Sequence, residues 1–106
     1  MENQQLIAVL YKCALASNYC AASCLDEEDV KMMKDCIRLD MDCAQICSLT
    51  AALLARDSEH GEHLLKECAE VCGLCAAECE KHADKMEHCK ECAAACMECE
   101  AICMAA

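Results

Sequence analysis

Between Cys68 and Cys103 the chain returns to cysteine at steps of three and four: Cys68, Cys72, Cys75 and Cys79, then Cys89, Cys92, Cys96, Cys99 and Cys103. Such steps keep to one face of an α-helix, so each run lays a stripe of sulfur along a bundle-type a/d seam. The first half of the chain carries a sparser version. Cys13, Cys20 and Cys24 lie in one segment, and Cys36, Cys43 and Cys47 repeat their 7-4 spacing in the next. Helices striped in this way can bury those faces only by turning them towards a common axis.

The rest of the sequence agrees with helices. There is no proline, and only two glycines and two aromatic residues occur in 106 positions, so turn punctuation and strand-favouring side chains are both scarce. Fewer than a fifth of the residues are Leu, Ile, Val or Phe and the net charge is −11, a balance that leaves a chain disordered unless something else fills the interior. Here cysteine, alanine and methionine must do so. Polar breaks at 26–29, 56–61 and 82–85 predict helices over 3–25, 27–56, 59–82 and 85–104. Asp26 with Asp29 and Asp84 with Glu87 read as capping boxes before the second and fourth helices, and Asp57 or Ser58 as the cap of the third. Short links between long helices make neighbours antiparallel. The predicted fold is all-α: one domain over residues 1–106, an antiparallel up-down-up-down four-helix bundle with a cysteine-lined core.

Fifteen thiols is an odd number, so pairing within the chain cannot be complete. Neighbours at i and i+4 also hold their Cβ atoms ~5 to 6 Å apart, whereas a disulfide needs about 3.8 Å. The N-terminal residues Met1 to Gln5 lack a basic stretch, which predicts residence in the cytosol, a reducing compartment. The acidic balance disfavours nucleic acid and anionic membranes as partners. Thiolate ligation selects soft ions: Cu(I), Zn(II) or iron–sulfur clusters. Charge separates them. One Cu⁺ per thiolate leaves the core neutral, whereas about four Zn²⁺ ions in four-thiolate sites leave roughly −7 in a low-dielectric interior. Iron–sulfur ligation draws on Gly- and Pro-containing loops that this chain lacks. Multiple Cu(I) ions are therefore the expected ligand, and a thiol redox or iron–sulfur electron carrier is the runner-up.

The stripes also predict two unlike ends. Leu6, Leu10, Leu53, Leu54, Leu64, Leu65, Ile102 and Met104 gather at one, as a dry plug. Cys24, Met32, Met33, Cys36, Cys79, His82, Met86, His88 and Cys89 gather at the other, as a mouth where Cu(I) first lodges on His82, His88 or Met33. His60 and His63 fall near the plug as surface residues. Leu39, Ile46 and Leu49 offer a second apolar face on the second helix.

The run Cys68-x₃-Cys72-x₂-Cys75-x₃-Cys79-x₂-His82, followed by His88-Cys89-x₂-Cys92-x₃-Cys96-x₂-Cys99-x₃-Cys103, resembles the cytosolic branch of the bacterial four-helix-bundle copper storage proteins, over essentially the whole chain. The resemblance implies storage rather than catalysis, with many Cu(I) ions on all fifteen cysteines, His82 and His88 as outer ligands, and a homotetramer. Copper would be exchanged with a chaperone or a small thiol. Where the fullest family pattern has further thiols, the first two helices carry Ser17 or Ala16 and Leu39 or Asp40, which implies a lower capacity.

Overall fold

The computed structural model describes residues 3–106; Met1 and Glu2 of the predicted domain lie outside the described residues. Four helices run Gln4–Leu25 (α1), Lys34–Ala55 (α2), Glu59–Glu80 (α3) and Glu87–Ala105 (α4), with a single 3₁₀ turn at Val30–Met33. Each packs against its neighbours in sequence, and α4 closes back onto α1, so that α1 faces α3 and α2 faces α4 across the centre. The bundle measures 43 × 18 × 18 Å, as expected of helices of 22 residues rising 1.5 Å per residue.

The α2–α3 link is the tightest. Asp57 takes the left-handed conformation (φ 55°), and Ser58 N–H donates to the Leu53 carbonyl at 2.9 Å, a helix stop of the Schellman kind. Ser58 then caps α3, its hydroxyl oxygen accepting from His60 N–H at 3.2 Å, as the sequence predicts. Within one turn of this corner the helices touch: a Cβ on Gly61 would fall 2.9 Å from Leu54 Cδ2 and 3.2 Å from the Leu54 backbone nitrogen.

Two helix starts differ from expectation. Asp29 does cap, but its carboxylate accepts from Met32 N–H at 3.3 Å in the 3₁₀ turn, and α2 begins only at Lys34. The turn carries Met33 into the core, where it is fully buried, and an α-helix begun at 27 has no such crossing segment. Before α4, Lys85 N–H and Met86 N–H both donate to the His82 carbonyl, at 3.2 and 3.0 Å. These backbone bonds close the turn, Met86 becomes the cap without a side-chain bond, and the Asp84 box does not form.

By length and composition α1 could cross a bilayer, with a mean hydropathy of 1.2. Its Leu6, Ile7, Leu10, Cys13, Cys20 and Cys24 instead face the other helices and are buried among them, which accounts for the apolar character of that face. Leu39 and Ile46 lie partly buried against the core, so they do not form the outward apolar face expected on the second helix; of the three residues expected there Leu49 is well exposed, at 51%. The outward apolar stripe belongs to α1, where Tyr11, Leu15 and Tyr19 are exposed.

Candidate metal centre

All fifteen cysteines are free thiols and all are buried. Fourteen have no exposed surface and Cys103 has 5%. Their sulfurs approach one another both along and across helices: Cys36 to Cys79 and Cys47 to Cys72 at 3.5 Å, Cys13 to Cys43 and Cys47 to Cys68 at 3.6 Å, Cys43 to Cys96 at 3.8 Å, Cys20 to Cys24 at 3.9 Å. With metal–sulfur bonds of about 2.3 Å, sulfurs ~4.0 Å apart suit a trigonal ion and ~4.6 Å a linear one. Soft ions bridging these thiolates therefore need only small rotamer changes.

Several sets of donor atoms lie within 4.8 Å of one another. Cys13, Cys47, Cys72 and Cys99 form one; Cys13, Cys43 and Cys96 another; Cys68, Cys99 and Cys103 a third; Cys20, Cys24, Cys36 and Cys89 a fourth; and Cys20, Asp40, Cys79 and Cys92 a fifth. The last contains a residue that the sequence reading saw only as a gap in the cysteine pattern. Asp40 is fully buried. Its Oδ1 accepts from Cys75 at 3.1 Å and from Cys79 and Cys92 at 3.4 Å, and its Oδ2 accepts from Cys36 at 3.7 Å. Ser17 is its counterpart on α1, also fully buried, with Oγ 3.8 Å from both Cys92 and Cys96. Extending the three-and-four step through each gap finds both, giving 13-17-20-24 and 36-40-43-47.

At the predicted mouth the two histidines part company. His88 Nε2–H donates to Glu27 Oε2 at 2.8 Å. That bond leaves Nδ1 facing the sulfurs of Cys20, Cys89 and Cys24, at 3.5, 3.6 and 3.9 Å. His82 turns to its own helix instead, with Nε2 3.4 Å from Glu78 Oε2. The step of three from Cys79 runs past the end of α3 at Glu80, and in the turn beyond it the ring swings to the carboxylate four residues back. Met33 is buried at this end and Met86 packs partly against the core, whereas Met32 is 49% exposed.

The opposite end is only half a plug. Leu6, Leu10 and Leu54 are buried, each worth roughly 1.5 to 3 kcal/mol. Leu53, Leu64, Leu65 and Ile102 are partly covered, and Met104 is 72% exposed. Beside them opens a cleft of about 770 Å³, lined by Leu6, Leu54, Leu65, Ala69, Cys103 and Met104, with Glu62, Lys66, Glu70 and Glu100 among its polar residues. Side chains at helix ends have neighbours on fewer sides, so leucines spaced for a core still leave a gap.

Among the described residues, the polar or charged side chains buried in the bundle are Ser17, Asp40 and Thr50. None is a cation, so nothing in the interior offsets a thiolate, and burial penalises each one that forms. Burial raises Cys24 and takes Cys89 to about 12. Close thiols push one partner down and the other up: Cys36 falls beside Cys20, which rises, and Cys68 falls beside Cys103, which rises. Burial, together with the charges of Cys92 and Cys36, lifts the Asp40 carboxyl to about 8.

Comparison with known proteins agrees with this geometry. The family model described as copper storage protein matches residues 1–106. The uncharacterized cysteine-rich protein YhjQ of Bacillus subtilis is 36% identical over 93 residues, covering 88% of this chain and 84% of its own length. Among solved structures, a cytosolic copper storage protein from Streptomyces lividans carrying five coppers is 42% identical, with a TM-score of 0.90 over 94% of this chain and 87% of that one. The Cu(I)-bound copper storage protein BsCsp3 is 34% identical, with a TM-score of 0.92 over 99% and 97%. A match over the full length, shared with a bundle whose core is sulfur, places the chain in the copper storage protein family.

Proposed function

We propose that this chain stores Cu(I), binding many ions on its fifteen core cysteines. The observation that carries the reading is the contiguous set of free, buried sulfurs 3.5 to 4.0 Å apart with no buried cation beside them. Each Cu⁺ replaces one thiol proton, so filling adds no net charge to the low-dielectric interior. Divalent zinc in four-thiolate sites leaves uncompensated thiolates there. The family relationship supports the same conclusion, since copper storage protein from Streptomyces lividans has been solved with five coppers and after loading with 10 copper equivalents. Anaerobic titration followed by native mass spectrometry tests it: uptake is expected to climb towards the cysteine count. Saturation at one to four ions, or isolation with iron chromophores, would return the chain to the redox or iron–sulfur class.

His88 serves as the outer nitrogen ligand, and Glu27 fixes its ring so that Nδ1 points at Cys20, Cys24 and Cys89. Carboxylates that hold a ligand histidine in this way commonly matter 10- to 100-fold for the metal. In Glu27→Ala the first phase of Cu(I) uptake in stopped flow is expected to slow by about tenfold, while the number of ions bound at equilibrium stays the same. A Glu27→Gln variant, which keeps the acceptor oxygen, should recover much of the rate. Asp40 joins the thiolates as an oxygen donor in the middle of the stack, and Met33 lines the same end as His88. His82 plays a smaller part, because its ring is engaged by Glu78.

The chain acts in the cytosol as a store rather than an enzyme, as one domain, passing copper to a small thiol or a chaperone. It assembles as a homotetramer through the stripe of Tyr11, Leu15 and Tyr19 on α1, where exposed apolar side chains are concentrated.

A further inference from the structure

The cleft at the leucine end reaches the sulfur core. Cys103 lines it, and Cys103 is the one cysteine with any surface open to solvent. Behind it the sulfurs of Cys68 and Cys99 complete a set within 4.8 Å. From there the ladder continues without a break. Cys47 is 3.6 Å from Cys68 and 3.9 Å from Cys99; Cys43 is 3.9 Å from Cys47; Cys96 is 3.8 Å from Cys43; Cys92 is 3.9 Å from Cys96. Cys92 belongs with Asp40, Cys79 and Cys20, and Cys20 meets His88 at 3.5 Å. A chain of soft donors thus runs the length of the bundle and comes close to solvent at both ends.

We infer that the leucine end is a second port, where Cu(I) is exchanged between Cys103 and a small thiol seated in the cleft. The inference rests on the copper-storage reading above. At about 770 Å³ the cleft has the size of a small-molecule site, too small to admit a folded chaperone. Its walls mix apolar side chains with three glutamates and Lys66, and the exposed thioether of Met104 stands beside Cys103. That balance favours a neutral or cationic thiol over a polyanionic one. The step is ligand exchange without redox. The incoming thiol gives its proton to Cys103 and takes the Cu⁺ as its thiolate complex, and copper remains monovalent. The reverse step loads the store.

The test begins with the metal-free wild-type chain under anaerobic, native conditions. Brief treatment with N-ethylmaleimide and peptide mass mapping should label Cys103 at least tenfold faster than Cys72 or Cys96; labelling at the same rate as those two overturns the port. In the copper-loaded protein, cysteamine should remove the metal several-fold faster than mercaptosuccinate at equal thiolate concentration, and equal rates count against the cleft. Ala69→Leu narrows the cleft while keeping every cysteine and adding no sulfur. It should slow both the labelling of Cys103 and removal of copper by cysteamine by about tenfold, whereas slowed labelling with unchanged removal shows that copper leaves only past His88 and overturns the inference. The wild-type measurements decide the question even where that variant fails to fold. Failure of storage itself reads differently: a wild-type chain that binds four ions or fewer refutes the copper reading whatever the reactivity of Cys103.

Discussion

Filling the core with Cu(I) is expected to raise the melting temperature by about 20 °C or more. The metal-free bundle has little to hold it. Its interior is mostly cysteine and alanine, its large, fully buried side chains are few, with Leu10 and Met33 the foremost, and it contains no phenylalanine or tryptophan. A ligand present at a thousandfold over its dissociation constant adds about 4 kcal/mol for a single site. In a domain of this size each kcal/mol moves the melting point by roughly 4 to 8 °C. Copper bound by thiols of the unfolded chain offsets part of the gain, but those thiols are not gathered at 3.5 to 4.0 Å. Anaerobic differential scanning calorimetry of the metal-free and loaded protein measures the shift. A change of only a few degrees would mean that the ions bind folded and unfolded chains alike, and the converging geometry would then have no bearing on affinity.

Stability of the metal-free protein should fall as pH rises from about 5 to 8, and Asp40→Asn should remove most of that slope. The sign follows from the carboxyl. Folded, Asp40 stands at about 8 against an ordinary 3.8, so between those values the folded state holds a proton that the unfolded state has lost. Stabilisation is complete below the unfolded value and disappears as pH climbs through the folded one. Each pKa unit corresponds to about 1.4 kcal/mol, so the loss should reach a few kcal/mol, a substantial part of the 5 to 15 kcal/mol typical of a domain. Urea melts at pH 5, 6.5 and 8 under reducing conditions would show it. The thiols also change with pH, but all fifteen are present in both proteins, so the difference between wild type and Asp40→Asn reports the carboxylate together with its thiol contacts. Parallel slopes in the two proteins would mean that Asp40 ionises freely where it lies.

The sulfur core was legible because helical periodicity is a local property. Once Cys68 to Cys103 recur at three and four, the helix, its buried face and the shared axis all follow, and the short polar breaks leave only an antiparallel arrangement. The chemistry was legible for a similar reason, since fifteen converging thiols with no buried cation beside them favour a monovalent soft ion. The gaps in the first two stripes, at Ser17 and Asp40, lie on the same helical rows, yet residue type steered the reading away from them. An aspartate in a stripe of thiols reads as a missing ligand until its four sulfur neighbours are seen.

What only the tertiary structure decided lies where neighbouring chain segments compete for the same groups. The start of α2 was set by the burial of Met33 and not by the cap at Asp29, and the turn before α4 was closed by the His82 carbonyl and not by Asp84. Sequence gave His82 and His88 equal standing. Folding brought Glu27 from another element to hold His88 against the thiols and left His82 with Glu78. The leucine end was decided in the same way. Spacing along a helix states which side chains face inward, but whether they fill the space there depends on how many helices still surround them, and at the end of a bundle that number falls, leaving Cys103 beside an open cleft.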